Sequence, residues 1–329
     1  MTKNFFTEGV FSELFVKFIA YKQSLGFKYN YYYSLNDLNE KLNKLNLTAP
    51  TLTKEIVVAL CELRDGEART SQAKRICFLR HFAEFLNNIG IEAYVYPTHY
   101  KPIYYDNFKP YIFSSDEIRR IFKSLDELSK NNRTPFYHLI WPAFVRVLYG
   151  CGLRLSECLN LKQEHVNLID GILYVEKSKK GTSRYVPLSA SLQKYLIKYV
   201  EAVHELYSAS DYFFPSSYTL GKLSPSGATN IIKQVYKSAG IKLLPNGRLP
   251  RIHDLRHTFC CHTFEAMKKK GYDLYYSVPI LSVYIGHQEI RDTERYLHLP
   301  EFHHDQLVLA SDAVLGDIEF MEVNDDEIT

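Results

Sequence analysis

His253 and His257 stand four apart in "RIHDLRHTF" (251–259), with Asp254 and Arg256 between them. Two imidazoles at that spacing share one face of a helix, and with an acid in second place they nearly reproduce the H-E-x-x-H zinc helix. Arg256 argues the other way. A guanidinium within a turn of two imidazoles repels a metal cation, whereas beside a phosphate it is the side chain best suited to bidentate recognition. The stretch fits either a metal-dependent hydrolase or part of a clamp on a phosphodiester, and the rest of the chain has to decide.

Three further segments tip the balance. In "GCGLRLSE" (150–157), Arg154 follows a glycine-punctuated break, and Ser156 is expected to cap a helix beginning with Glu157. The runs GILYVEK and SRYVPLS flank SKKGT and predict a β-hairpin with Lys179 and Lys180 near its tip. In "YIGHQEIRDTERYLHL" (284–299), Gly286 and His287 mark a turn and Tyr296 follows nine residues later. Together these supply what a phosphodiester transesterification needs. Two arginines can neutralise the charge that grows on the non-bridging oxygens, and a tyrosine hydroxyl can attack phosphorus to form a covalent phosphotyrosine. A loop lysine can protonate the departing oxygen, and histidines can exchange protons near neutral pH. Nothing in this set calls for a metal or a cofactor.

The elements that must position these residues are mostly helical. Phe11, Leu14, Phe15 and Phe18 in FSELFVKFIAYKQSLG keep the i, i+3, i+4, i+7 spacing of an amphipathic helix ending at Gly26. Similar patterns at 31–46, 53–64 and 69–89 complete a helical bundle. The stretch 96–110, with Pro97, Pro102 and Pro110, has no helical period and reads as a linker. A second domain then starts near Phe113, where Ser114 or Ser115 precedes acids and apolar residues in an N-cap pattern. Further helices are expected at 135–149, 190–206, 226–239, 254–270, 276–285, 290–298 and 301–314, the last amphipathic through Leu307, Leu309, Val314 and Leu315.

Composition sets the bounds. With 329 residues, 46% apolar and 23% charged, the chain has ample material for two cores. Six cysteines without a C-x-x-C pair read as reduced, mostly buried thiols, and the N-terminus has no apolar leader segment, so a cytoplasmic location is expected, nucleoid-associated when on DNA. HLIWPAFVRVLYGCGL is broken by Pro142 and Arg146 and reads as a core helix rather than a membrane span. The net charge of +3 hides an uneven distribution. Residues 312–329 hold seven acids and no Lys or Arg, so residues 1–311 carry 40 bases against 30 acids, a surplus of 10 that suits a polyanionic partner.

The four segments, in this order, resemble the tyrosine recombinase (phage integrase) family over most of residues 110–305, with a weaker compositional match of residues 1–95 to its helical core-binding domain. The resemblance implies a mainly α fold with a small antiparallel β-sheet (α+β). It divides the chain into a DNA-binding domain at 1–95, a linker at 96–111, a catalytic domain at 112–315 and an acidic tail at 316–329. It makes Arg154 and Arg256 the clamp arginines and Glu157 the supporting acid. Of the two lysines, the one seven positions before Val186 is Lys179; His253 and His287 become the catalytic histidines and Tyr296 the nucleophile. His257 is left to packing or to a supporting role behind the catalytic residues. Cys151 and Gln288 depart from the common Thr and Ser or Thr without touching a catalytic atom. The implied activity is metal-independent DNA strand exchange through a 3′-phosphotyrosine and a Holliday junction, by a tetramer clamping duplex DNA, with no cofactor, no membrane, and accessory DNA-bending or directionality proteins as further partners. The wording of the last segment is similar to recombinases of bacterial mobile elements.

In the N-terminal bundle the same resemblance lays Arg69, Lys74, Arg75 and Arg80 along DNA as candidate phosphate contacts, with Ser71 and Gln72 reading bases, the alternative being a solvated basic face. Tyr31, Tyr32 and Tyr33 read as aromatic packing at a helix start rather than a stacking platform. Three rivals remain: a type IB topoisomerase with the same chemistry, a zinc hydrolase built on HDLRH, and a catalytically inactive DNA-binding regulator.

Overall fold

The apolar spacing in residues 11–18 becomes the first helix of the N-terminal half. In the computed structural model, α1 runs Ser12–Ser24 and buries Leu14, Phe15, Phe18 and Ile19, with Phe11 at its N-cap fully buried. The structure describes residues 8–27, 32–97, 109–130, 134–176, 183–203, 208–216, 219–287, 289–290 and 293. Lys179, Lys180, Tyr31, Gln288, Tyr296, residues 98–108 and the tail from 294 onward, with most of the expected helix at 290–298 and all of that at 301–314, therefore lie outside it, as do the side chains of Tyr32 and Tyr33. The chain divides into two units, Met1–Phe108 and Lys109–Thr329.

In the first unit, α1 packs with α2 (Tyr32–Asn43), α3 (Lys54–Cys61) and α4 (Arg69–Asn88) around a phenylalanine-rich core. The Phe15 and Phe82 rings stack at 4.6 Å, and Phe18 meets Phe82 edge-on at 5.4 Å. Such ring pairs add directional contact to the area they bury. Helix α4 carries the proposed DNA-facing residues, and at one of them, Gln72, the structure corrects the sequence reading. Gln72 is buried, with its Nε2 donating to Cys61 O at 2.9 Å, and is in no position to read a base. Arg75 is engaged with Glu67 at 2.6 Å and with Glu62 O, and Arg80 donates to Tyr96 O and lies 3.4 Å from Glu84. The reason is periodicity: α4 has to bury one stripe, and the stripe falls on Gln72, Ile76 and Leu79, with Arg75 on its flank. Arg69, Ser71 and Lys74 are exposed.

The second unit opens with α5 (Ser115–Asp126), whose capping box is complete: Ser114 Oγ accepts from Glu117 N at 3.2 Å, and Glu117 Oε2 accepts from Ser114 N at 2.9 Å. Helix α6 (Tyr137–Gly150) is the axis of the core, buried without interruption from Ile140 to Tyr149. It runs on through Pro142, whose ring removes one backbone donor from the helix. Buried Arg146 is paired with Asp126 at 2.6 Å and lies between the Phe122 and Tyr195 rings. A short α7 (Leu155–Leu159) follows, then an antiparallel sheet of β1 (Val166–Asn167), β2 (Ile172–Val175) and β3 (Arg184–Pro187) in the order β1-β2-β3. The expected hairpin is β2–β3, with Val175 opposite Arg184 and Ile172 opposite Pro187. Its inner face is Leu173, Val175 and Val186. Helices α8 (Ala190–Val203), α9 (Pro225–Ser238), α10 (Ile252–Lys269) and α11 (Leu274–Ile285) complete the unit. Among the described residues, no helix is long and apolar enough to cross a membrane.

The turn between α6 and α7 depends on Gly152, which has φ +57° and whose added Cβ would lie 2.4 Å from the Phe259 ring. Gly152→Ala is therefore expected to cost about 1–3 kcal/mol of stability, from left-handed strain and the clash together. A denaturant titration that found the variant as stable as the parent would refute this.

Candidate active site

Helices α7 and α10 begin alike. In R-L-S-E and R-I-H-D an arginine occupies the N-cap, and an acid three residues on turns back to accept its backbone N–H: Glu157 Oε2 from Arg154 N at 2.9 Å, Asp254 Oδ2 from Arg251 N at 2.7 Å. Two expectations are corrected by this geometry. Ser156 is not the cap of α7 but lies inside its first turn, since the carboxylate at the third position already satisfies the cap donor. Asp254, which stands where a zinc protease has its general base, is buried and committed to capping α10 and to Arg251 at 2.9 Å. Helix α10 consequently starts two residues earlier than expected, and His253 and His257 lie in its first two turns.

The centre of the site is the C-terminal end of α11. Gly286 there adopts φ +70°, and His287 N donates back to Ser282 O at 3.0 Å, as in a Schellman ending. The carbonyls left over at the end of a helix carry partial negative charge and need donors. Three arginines from three other elements supply them in succession: Arg184 Nε to Tyr284 O at 2.8 Å, Arg256 Nη2 to Ile285 O at 2.7 Å, and Arg154 Nη2 to Gly286 O at 3.0 Å. Arg256, 1% exposed, also donates through Nη1 to Gly152 O at 2.8 Å, so α10, the α6–α7 turn and α11 meet on one guanidinium.

Glu157 sits among all three arginines. Arg154 Nη1 reaches Oε1 at 2.7 Å, Arg184 grips both oxygens at 3.1 and 3.0 Å, and Arg256 Nη1 lies 3.9 Å away. Burial pushes the carboxyl up, but the hydrogen bonds and charge of Arg184, then the backbone and side-chain hydrogen bonds of Arg154, outweigh it and hold Glu157 down to about 2. Three guanidinium charges thus face one carboxylate, a surplus of two positive charges. That surplus is what a singly charged phosphodiester, and the second negative charge developing on it during attack, would complement.

The histidines flank this centre. The His253 and His257 rings meet edge-on at 4.7 Å. Desolvation, then His257, Arg256 and Arg251, hold His253 down to about 4, while desolvation, then Arg251, Arg256 and His287, do the same for His257. Both are neutral imidazoles at pH 7, and the arginine charges that help keep them so are ones that a bound phosphate would offset. His287 Nδ1 is hydrogen-bonded to the hydroxyl of buried Thr293 at 2.9 Å. His257, left by the sequence to packing or a supporting role, lies within electrostatic reach of both Arg256 and His287. Among the described residues, no three or more His, Cys, Asp or Glu side chains are grouped so as to hold a metal ion. The described cysteines offer no ready nucleophile at this site either: burial pushes Cys151 up to about 12.

Of the residues singled out from the sequence, Arg154, Glu157, Arg256 and His287 are brought together, with His253 beside them through His257. Lys179 and Tyr296 lie outside the described residues. The sequence reading missed Arg184 and Thr293. A signal for Arg184 was present: in a strand it shares a face with Val186, two residues on, and so points inward from the sheet.

The second unit is thus a helical body bearing a small hairpin, with three arginines gathered at the end of one helix. Residues 112–303 match the model of the phage integrase family, and the chain belongs to that family, the tyrosine recombinases, as an enzyme of site-specific DNA recombination. The Sinorhizobium fredii protein y4rB, whose name marks it as an integrase/recombinase, is 28% identical over 254 residues, 75% of this chain and 80% of its own. Among solved structures, XerH site-specific recombinase bound to its difH substrate superposes with a TM-score of 0.62 at 17% identity, covering 83% of this chain and 77% of that one. A lambda integrase tetramer bound to a Holliday junction gives 0.59 at 17% identity, covering 86% and 78%. These likenesses show the fold, mainly α with a small antiparallel sheet.

Proposed function

We propose that the chain cuts and rejoins duplex DNA through Tyr296. The phenolic oxygen attacks a backbone phosphorus, a 3′-phosphotyrosine forms, and the bond to the 5′ oxygen breaks. Arg154 and Arg256 hold the non-bridging oxygens, Lys179 donates the proton that the leaving 5′ oxygen requires, and His253, neutral at pH 7, accepts the proton of Tyr296. His287, hydrogen-bonded to Thr293, donates to a phosphate oxygen. Glu157 orients Arg154. A 5′ hydroxyl from a second duplex then reverses the reaction, which exchanges strands through a Holliday junction. Four copies acting on two sites satisfy this scheme, with the segment at 301–315 joining neighbours and the unit at 1–108 contributing phosphate contacts from exposed Arg69 and Lys74. Integration or excision of a mobile element is the role we favour, with accessory DNA-bending proteins as further partners.

The observation that carries this reading is the gathering of Arg154, Arg256 and His287 at the α11 terminus around a carboxylate too weak in charge to cancel them. The test is covalent capture. Incubated with randomly nicked DNA of the source genome in excess chelator, the full chain is expected to form detergent-stable protein–DNA complexes that vanish in Tyr296→Phe. Attached ends sharing one sequence support recombination. Ends with no common sequence would point to the topoisomerase, loss in chelator to a metal enzyme, and no complex at all to a DNA-binding regulator.

A further inference from the structure

Arg184 belongs to no part of the scheme above, yet it is the arginine most fully engaged with Glu157. It is the first residue of β3, its side chain is 9% exposed, and its fork spends three N–H groups on two elements far away in sequence: Nη1 and Nη2 on Glu157 of α7, Nε on Tyr284 O of α11. Only a planar guanidinium can make a bidentate carboxylate pair and a third bond in the same plane. The space around it is tight as well, since a Cβ on Gly286 would lie 3.0 Å from Arg184 Nη1.

Electrostatics gives this arrangement a purpose. With only Arg154 and Arg256 beside it, Glu157 would cancel half of their charge at the place where a phosphate has to bind. A third guanidinium, with its three N–H groups taken up by both carboxylate oxygens and by Tyr284 O, restores the surplus of two. The carbonyl bonds of Arg154 and Arg256 orient them without neutralising them, because a carbonyl bears no net charge. Arg184 also lies five residues after Lys179 in the chain, so whatever fixes Arg184 fixes one root of the segment that carries Lys179.

We infer that Arg184 is a positioning residue of the phosphate site: it offsets the charge of Glu157, leaves that of Arg154 and Arg256 for the phosphodiester, and ties the β2–β3 hairpin to the end of α11. The inference deepens the function proposed above and rests on it for its catalytic consequence. Its electrostatic half can be read without DNA.

Three variants of the full chain test it: Arg184→Met, Arg184→Lys, and Arg184→Met combined with Glu157→Gln. On the nicked duplex recovered by covalent capture, in single turnover at saturating DNA, Arg184→Met is expected to cleave roughly tenfold or more slowly, the scale set by losing a supporting partner. The DNA concentration for half-saturation should stay within about threefold, because phosphate contacts elsewhere dominate affinity. The deficit should narrow as pH falls and Glu157 protonates. The double variant should cleave faster than Arg184→Met but slower than the parent, since a neutral amide leaves no charge to offset yet keeps only one of the two oxygens that hold Arg154, and Arg184→Lys should fall between the parent and Arg184→Met. Removing the orphaned carboxylate would also restore stability, so the rates are compared well below each variant's unfolding midpoint, where a purely structural role predicts no difference in rate. Arg184→Met cleaving at the parental rate, or a double variant no faster than Arg184→Met, would overturn the inference. Without DNA, a carboxyl-carbon NMR titration should show Glu157 moving up toward the usual carboxylate range in Arg184→Met. No movement there overturns the inference whatever the enzyme does, whereas movement together with an absence of covalent complex from the parent chain would defeat the proposed function alone. If Arg184→Met does not fold, the double variant, lacking the orphaned carboxylate, decides on its own rate.

Discussion

Arg256→Lys, conservative in charge, is expected to lower single-turnover DNA cleavage by roughly 10²–10³-fold, the cost of removing one preorganised donor from a developing oxyanion. The guanidinium of Arg256 spans Gly152 O and Ile285 O at 2.8 and 2.7 Å, so its plane is set by two carbonyls on either side of it. An ammonium on a shorter stem reaches at most one of them, and then points where that carbonyl draws it rather than at a phosphate. The other carbonyl loses its charged donor in the interior, which costs about 1–3 kcal/mol, so the variant should also melt lower than the parent. Cleavage must therefore be compared well below the variant's unfolding midpoint, with circular dichroism confirming that it is folded. DNA affinity should change little, because most of it comes from phosphates that Arg256 does not touch. Cleavage within tenfold of the parent would show that charge alone suffices and that the two-carbonyl setting is incidental.

How much of this could be read from the sequence depends on whether a residue's partner is near it in the chain. The helices of both units follow from local spacing, as with Phe11, Phe15 and Phe18, and their ends from Gly26, Gly90 and Gly286. The box residues could be picked out because each lies in a short motif. What could not be read was the use to which the polar groups are put. Asp254 and Glu157 have the same spacing from an arginine N-cap and cap in the same way, yet Asp254 ends there, while Glu157 goes on to bind Arg184, 27 residues away. Gln72 looked available for DNA because it stands among Arg69, Lys74 and Arg75 on the helix that the resemblance lays along DNA. It is buried because Cys61 O, on another helix, needs a donor. The run of arginines on the Tyr284, Ile285 and Gly286 carbonyls joins elements about 30 to 130 residues apart, and no local pattern announces it.

The same cluster makes a second large effect predictable, this time on stability. Glu157 is buried and its carboxyl is held at about 2, against an ordinary value of 4.5. A carboxyl whose folded value lies below its unfolded one stabilises the fold wherever it is ionised in both states. That contribution is complete above about pH 5 and is lost as pH falls through 4.5 toward 2. A depression of that size corresponds to roughly 3 kcal/mol, in line with the cost of breaking a buried ion pair from one side. Glu157→Gln removes the anion and leaves Arg154, Arg184 and Arg256 confronting one another. It should therefore be less stable than the parent by about 3 kcal/mol at pH 7. The gap should close as the pH is lowered, because the parent then loses by protonation what the variant lost by substitution. Urea unfolding of both proteins at pH 7, 5 and 3 measures this, and a gap that stays constant over that range would mean that Glu157 acts through its shape and hydrogen bonds rather than its charge. A closing gap has a consequence for the site: acid should loosen the hold of Glu157 on Arg154 and Arg184, while the arginine bonds to the Tyr284, Ile285 and Gly286 carbonyls, which protonation does not remove, keep the end of α11 in place.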